Sequence, residues 1–243
     1  MISAPSSATL QALRTRVEML DPALRGELSA LWARDAQYEH ASIASFGRFA
    51  LELLAVAAPA ELIERAHRAA IEEIEHARLC FTFAGIYGGS ALGPGPLPID
   101  ARIFANAPDL HTMTRATVLE GCVNESVAAL EAGVAARQAQ DEAVREALLA
   151  IERQEGDHAS LAFAFVSWAV NSGGAALRET ARVAFKRAGA EFAALELPEE
   201  SERERQLSVH GRLSSRERAS LRKRAFAEVI VPAAEELLGP VGQ

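Results

Sequence analysis

Glu73-Ile-Glu-His76-Ala-Arg-Leu-Cys-Phe81-Thr-Phe83 and Glu155-Gly-Asp-His158-Ala-Ser-Leu-Ala-Phe163-Ala-Phe165 are one pattern written twice, 82 residues apart. Each copy puts a Glu and a His three residues apart. On a helix those side chains share a face one turn apart and can reach one inward point. Carboxylate with imidazole is a donor set for iron or manganese, whereas a structural zinc normally recruits thiolate. With 27 Glu in 243 residues and six His, fewer than one Glu-x-x-His pair is expected by chance, yet three occur. The third, Glu64 with His67, lies nine residues before Glu73 and His76, about half a turn of rotation away, so it faces outward and reads as a solvated pair.

Working outward, each half also needs a carboxylate from its preceding helix. Glu39 precedes Glu73 by 34 residues, and Glu120 precedes Glu155 by 35, so the halves agree to within a residue. The competing choice, Glu125, gives a separation of 30 and lies about 140° around an α-helix from Glu120, so both cannot face one site. Glu120 is therefore preferred.

Gly and Pro punctuation divides the chain into long segments of 3.6-residue apolar period with no strand-like alternation, which predicts an all-α fold. Helices are expected at about 23–57, 60–87, 110–138, 141–171 and 174–195, with shorter ones near 8–20 and 214–238. Short turns at Ala57-Ala58-Pro59 and near Gln140-Asp141 predict two antiparallel hairpins. The Gly/Pro-rich run from Gly88 to about Leu110 suits a long crossover between helices 2 and 3 of a four-helix bundle. The fifth helix follows Gly173-Gly174 and is amphipathic. The organisation expected is an N-terminal segment at 1–22, a helical bundle at 23–195 and a charged linker with a C-terminal helical extension at 196–243. Within the last, Glu199 to Arg205 reads as solvated chain. Ser214 with Glu217 reads as a capping box, and Pro232 as a bend.

Composition narrows the function. The formal charge is −8, which argues against nucleic acid or an anionic membrane as a partner. The start carries no secretory pattern, and the longest apolar stretch, Ala159 to Val170, falls short of the roughly 20 residues a bilayer requires. Cys80 and Cys122 sit inside apolar helical patterns, so buried thiols in a reducing, cytoplasmic setting are expected. Lys occurs only at 186 and 223, an Arg bias that reflects genome composition more simply than recognition.

The set Glu39, Glu73 with His76, Glu120, and Glu155 with His158 closely resembles the ferritin-like di-iron carboxylate superfamily, over about residues 27 to 172. That superfamily includes bacterioferritins, rubrerythrins, the small subunit of class I ribonucleotide reductase and the bacterial di-iron monooxygenases. The resemblance implies a ferritin-like four-helix bundle binding two iron ions, with manganese or a mixed iron–manganese pair as alternatives. Glu73 and Glu155 would bridge the metals, with Glu39 and His76 completing one and Glu120 and His158 the other. In the superfamily an acid directly before the bridging Glu often holds the opposite His. Here those positions are Glu72, which could orient His158, and Gln154, which could accept from His76 without adding charge and so make the two sites inequivalent. Asn124, one turn beyond Glu120, is the candidate catalytic residue by analogy with oxygenases that place a hydroxyl residue near this turn. Ala44, Ser45, Gly121, Cys122 and Ser126 are small; they either permit close helix contact or leave a substrate pocket.

The resemblance leaves three activities to weigh: an oxidase or oxygenase for an organic substrate, a bacterioferritin-like ferroxidase, and a rubrerythrin-like peroxide reductase. The last is disfavoured by the absence of a Cys-x-x-Cys module and by Val123, three after Glu120, where rubrerythrins carry an extra carboxylate. A tyrosyl-radical role is disfavoured because Tyr38 and Tyr87 are the only tyrosines and Tyr38 points about 100° from Glu39. The fifth helix, the C-terminal extension and the Gly/Pro-rich crossover favour the first reading. Its expected partners are O2, a small-molecule substrate and an external electron donor, with a homodimer as an open option.

Overall fold

A computed structural model of the chain describes residues 5–99 and 108–239. Every regular element among them is helical: α1 (Ser7–Glu18), α2 (Pro22–Ala55), α3 (Ala60–Gly88), α4 (Leu110–Ala116), α5 (Ser126–Gln138), α6 (Glu142–Ala193), α7 (Glu202–Ser208), α8 (Ser215–Ala225) and α9 (Val231–Leu238). Two stretches are π-helical, Thr117–Glu125 between α4 and α5 and Phe226–Ile230 between α8 and α9.

The helix ends follow from local chemistry. Asp21 caps α2 by accepting from the amides of Ala23 and Leu24, and Pro22 occupies the first turn, where its missing N–H costs nothing. Ala57 turns the chain with a positive φ of 52°, Pro59 ends the connection, and α3 runs back along α2. α3 stops at Gly89, whose left-handed φ of 78° suits a residue without a side chain. Asp141 caps α6 through Ala143 and Val144 and also binds Arg16 of α1. Gly174, at φ 66° and ψ −144°, breaks the helical geometry of α6, so the expected helices at 141–171 and 174–195 are two arms of one kinked rod.

α6 packs against α3 on one side and against α4, the first π stretch and α5 on the other. Two apolar clusters result. One holds Leu53, Leu62, Val118, Phe165 and Val166; the other holds Trp32, Phe83, Tyr87, Val144 and Leu148. Residues 72–76 of α3 and 154–158 of α6 lie between the two clusters along both helices, so the repeated acid and histidine motifs form a polar layer across the core.

Three expectations need correction or delimitation. The Glu199 to Arg205 run is not simply solvated chain: Ser201 and Glu204 form a capping box that starts α7, and Arg203 reaches Glu27 of α2 at 2.6 Å. The helix expected at 110–138 is continuous in direction but changes to i→i+5 bonding over Thr117–Glu125. The expected crossover runs partly through residues 100–107, which lie outside the described residues. Further on, Ser214 and Glu217 do form a capping box. Pro232, lacking the N–H that residue 228 would receive from it in an α-helix, coincides with the second π stretch. Ile230 and Leu238 then bury themselves in the first cluster.

α6 is long and apolar enough to cross a membrane on length and composition alone. Its buried residues line both clusters and include Glu155 and His158, the pattern of a core helix. Both cysteines are buried and free.

Gly121 fixes how closely the π stretch approaches α6, since a Cβ there would stand 2.4 Å from Cβ of Ala162. Gly121→Val should cost about 1–3 kcal/mol by forcing the helices apart. Gly26→Ala, with nothing within 4 Å of the added carbon, should instead gain about 0.5–1 kcal/mol. Chemical denaturation of the two variants against the parent checks both signs.

Candidate metal centre

α3 and α6 each contribute a buried Glu and a buried His from the repeated motif, one turn apart and facing the other helix. α2 adds Glu39, and the end of the π stretch adds Glu125. Two donor groups result, each with all its ligand atoms within 4.8 Å of one another: Glu39, Glu73, His76 and Glu155, and Glu73, Glu125, Glu155 and His158. Glu73 and Glu155 belong to both groups. His158 Nδ1 lies 3.2 Å from Glu73, 3.6 Å from Glu155 and 3.8 Å from Glu125, while His76 Nδ1 lies 3.3 Å from Glu155 and 3.6 Å from Glu39.

The outer nitrogens set the orientation of both rings. His76 Nε2 is 2.7 Å from the amide oxygen of Gln154, and His158 Nε2 is 2.9 Å from a carboxylate oxygen of Glu72. Both oxygens accept, so each Nε2 donates outward and each Nδ1 faces the cluster, where it offers a lone pair to a cation once its own proton is displaced. This is the cross-pairing expected of Glu72 and Gln154 from their positions. His76 Nδ1, His158 Nδ1 and Glu73 Oε2 are buried and have no hydrogen-bond partner. Buried polar atoms rarely go unpaired. Three of them converging on one layer, among four carboxylates, fit a bound cation.

The electrostatics point the same way. Burial opposes charge on His76, but the carboxylates of Glu155, Glu39 and Glu73 outweigh it and push the imidazole up to about 12. His158 is raised likewise, by Glu125, Glu155, Glu72 and Glu73 against its burial. Burial, with Glu155 and Glu73 adding to it, pushes Glu39 up to about 8 against the opposing pull of His76. Burial and then Glu155 drive Glu125 well above the carboxylate range. Glu73 is held low despite its burial by His158 and His76; Glu155 is held low by a bond with Glu125 and by the same two rings. Without a cation the layer must therefore hold protons, which a metal displaces on binding.

Glu120 is the residue the structure does not bring into the cluster. Its side chain is 61% exposed and lies 3.6 Å from Arg48, while Glu125 is 18% exposed and faces His158. The physical reason is twofold. The matched 34 and 35 spacings assumed a uniform α-helix, whereas Thr117–Glu125 follows i→i+5 bonding and alters the angular phase. Val118 and Cys122 are buried, and Glu125, only partly exposed, continues their line at a helical i, i+4, i+7 spacing that was available in the sequence and favoured Glu125. Asn124 is exposed and stands beside Glu125, at the edge of a cavity described next. His67 is exposed, as the half-turn argument requires.

Three cavities approach the layer: one, of about 360 Å3, meets Glu72 and His158 among Glu64, Arg65, Arg68 and Asp157, and two others reach the carboxylates of the donor groups. Of these two, one, of about 390 Å3, reaches Glu125 and His158 past Phe46, Phe49, Leu161 and Gly121. The other, of about 250 Å3, reaches Glu39 and Glu155 between Trp32, Cys80 and Arg212. Arg212 was not singled out from the sequence. It is buried, pairs with Asp35 at 2.6 Å and lies over the Trp32 ring at 4.8 Å. Gly121 thus serves both readings offered for the small residues, since it permits close contact with α6 and lines the larger cavity.

A comparison with protein families, with curated proteins and with solved structures returns no match for this chain.

Titration with ferrous or manganous ion tests the residue assignment. Gln154→Ala and Glu72→Ala should each weaken metal affinity by about 10–100-fold by freeing a ring. Glu125→Gln should do so at least as strongly. Glu120→Gln and His67→Ala should leave affinity within error of the parent. An exchange of behaviour between the two glutamate variants would overturn the choice of Glu125.

Proposed function

We propose that this chain is a ferritin-like di-iron carboxylate protein that activates O2 and oxidises a small organic molecule. The observation that carries the reading is the pair of donor groups sharing Glu73 and Glu155, with both Nδ1 atoms buried, unpartnered and turned toward the layer. Glu39, His76, Glu125 and His158 would complete two metal positions around the shared carboxylates. Once ionised, the four carboxylates would carry the −4 that two divalent cations balance, and nitrogen with carboxylate oxygen suits iron or manganese. Bound there, two ferrous ions would supply the electrons that reduce O2.

The chain's own residues do the rest. Gln154 and Glu72 fix the rings, so both Nδ1 atoms stay directed inward. The apolar clusters on either side of the layer keep water from reaching it along the core of the helices. Phe46, whose ring centroid is 4.9 Å from that of His158, forms one wall of the larger cavity beside the centre. Asn124 and Ser42 offer uncharged polar groups in the same cavity.

The main alternative is a ferroxidase, since bacterioferritins resemble this chain in the same kinds of ligand. The larger cavity beside Glu125 and His158 favours an organic substrate instead, because ions need no apolar chamber. The peroxide-reductase reading gains nothing from moving the ligand to Glu125, as Ala128 stands three residues beyond it and brings no carboxylate.

Anaerobic loading followed by elemental analysis should give about two irons per chain, the stoichiometry of such a centre. On adding O2, the protein should consume one stoichiometric portion and then stop, as a small assembly in solution. Continued oxidation of excess iron inside a large shell would replace the oxygenase reading with iron storage. One metal per chain, or none, would overturn both.

A further inference from the structure

We infer that the larger cavity is a binding site for a primary organic amine with an apolar body, its ammonium seated on Glu52 at the rim. This assignment deepens the proposed function, since it names the substrate class of the same site, and it stands on three observations. First, the chamber has room for a small molecule: its volume of about 390 Å3 lies within the usual range for ligand pockets, and Phe46, Phe49, Met113 and Leu161 give it an apolar wall. Second, among the described residues its charged groups away from the Glu125 and His158 end are one guanidinium and two carboxylates. Arg48 lies 3.7 Å from Glu52 and 3.6 Å from Glu120, between the two acids but beyond hydrogen-bond distance of either, so among the described residues the rim carries a net −1.

That balance discriminates between ligands. A carboxylate entering the chamber would find the buried Arg48 Nε without a hydrogen-bond partner, but it would be a third acid around one guanidinium and take the rim to −2 beside an apolar wall. An ammonium adds the missing positive charge and makes the rim neutral. The third observation concerns Glu52 itself. Its side chain is 28% exposed, and burial, together with the charge of Glu120, lifts its carboxyl above the ordinary value even though Arg48 opposes this. A second cation would relieve the group that the rim leaves short. Ser42, Ser45, Thr117 and Asn124 add uncharged polar atoms, which suit an amine or a neutral group equally and do not add an anion site.

The test compares two probes of matched body and opposite charge, 2-phenylethylamine and 3-phenylpropionate, by ligand-observed NMR titration at neutral pH. The full chain is used both after chelator treatment and after iron loading. The amine should bind at least about 10-fold more tightly than the acid, and Glu52→Gln should weaken the amine by about 10-fold without improving helical content or altering iron uptake. Glu52 dependence separates the rim from the carboxylates of the metal layer, to which an amine could also bind in the chelated protein. Equal or tighter binding of the acid would overturn the inference, as would amine affinity unmoved in Glu52→Gln. The probe comparison on the parent chain stands even if that variant misfolds. If the amine binds through Glu52 but the chain takes no iron, the metal reading fails and this one holds; iron uptake without amine binding gives the reverse.

Discussion

Two crossed hydrogen bonds, His76 to Gln154 and His158 to Glu72, are the constraint on which the centre depends. Each joins α3 to α6 and each commits the outer ring nitrogen, which leaves the inner one facing the carboxylates without a hydrogen-bond partner. A bundle interior can tolerate such an arrangement only by holding protons or a cation, because four carboxylates at this depth repel one another. The apolar clusters above and below hold the two helices in register. The polar layer therefore costs stability locally and draws on Trp32, Phe83, Phe165 and their neighbours to remain folded.

The bonds also differ. Gln154 is neutral and Glu72 is an acid, so the His158 side of the layer carries more negative charge than the His76 side. The larger cavity opens on that side as well, through Glu125 and His158, whereas the smaller one opens on Glu39. Chemical asymmetry and access thus coincide, although the parent motif is an internal repeat.

Much of this was legible because the repeat uses helical arithmetic that the fold respects. Glu73 and His76, and Glu155 and His158, lie on regular α-helix, so a spacing of three fixed their shared face, and a spacing of nine put Glu64 and His67 on the opposite one. Glu72 and Gln154 followed from adjacency to Glu73 and Glu155. Glu125 escaped because chain separation between helices is a weak ruler, and because a π stretch cannot be recognised from spacing that presumes 100° per residue. Arg212 escaped for another reason. Its importance comes from a long-range return of the chain after α7, where it meets Asp35 and Trp32, and no local pattern near Gly211 announces that contact. The charged run before it looked solvated because its cap and its partner Glu27 lie outside the run's own composition.

The π stretch has a consequence for how related chains would have to be compared. A helix that changes its bonding pattern between Thr117 and Glu125 has two angular phases, one for Met113 and Thr114 before it and another for Val127 and Ala132 after it. Adding or removing a residue within those nine positions would change which side chain stands at the polar layer. Position in an ungapped alignment is therefore a poor guide to ligand identity here. A glutamate could drift along this segment, while the histidines, held on unbroken α-helix, could not.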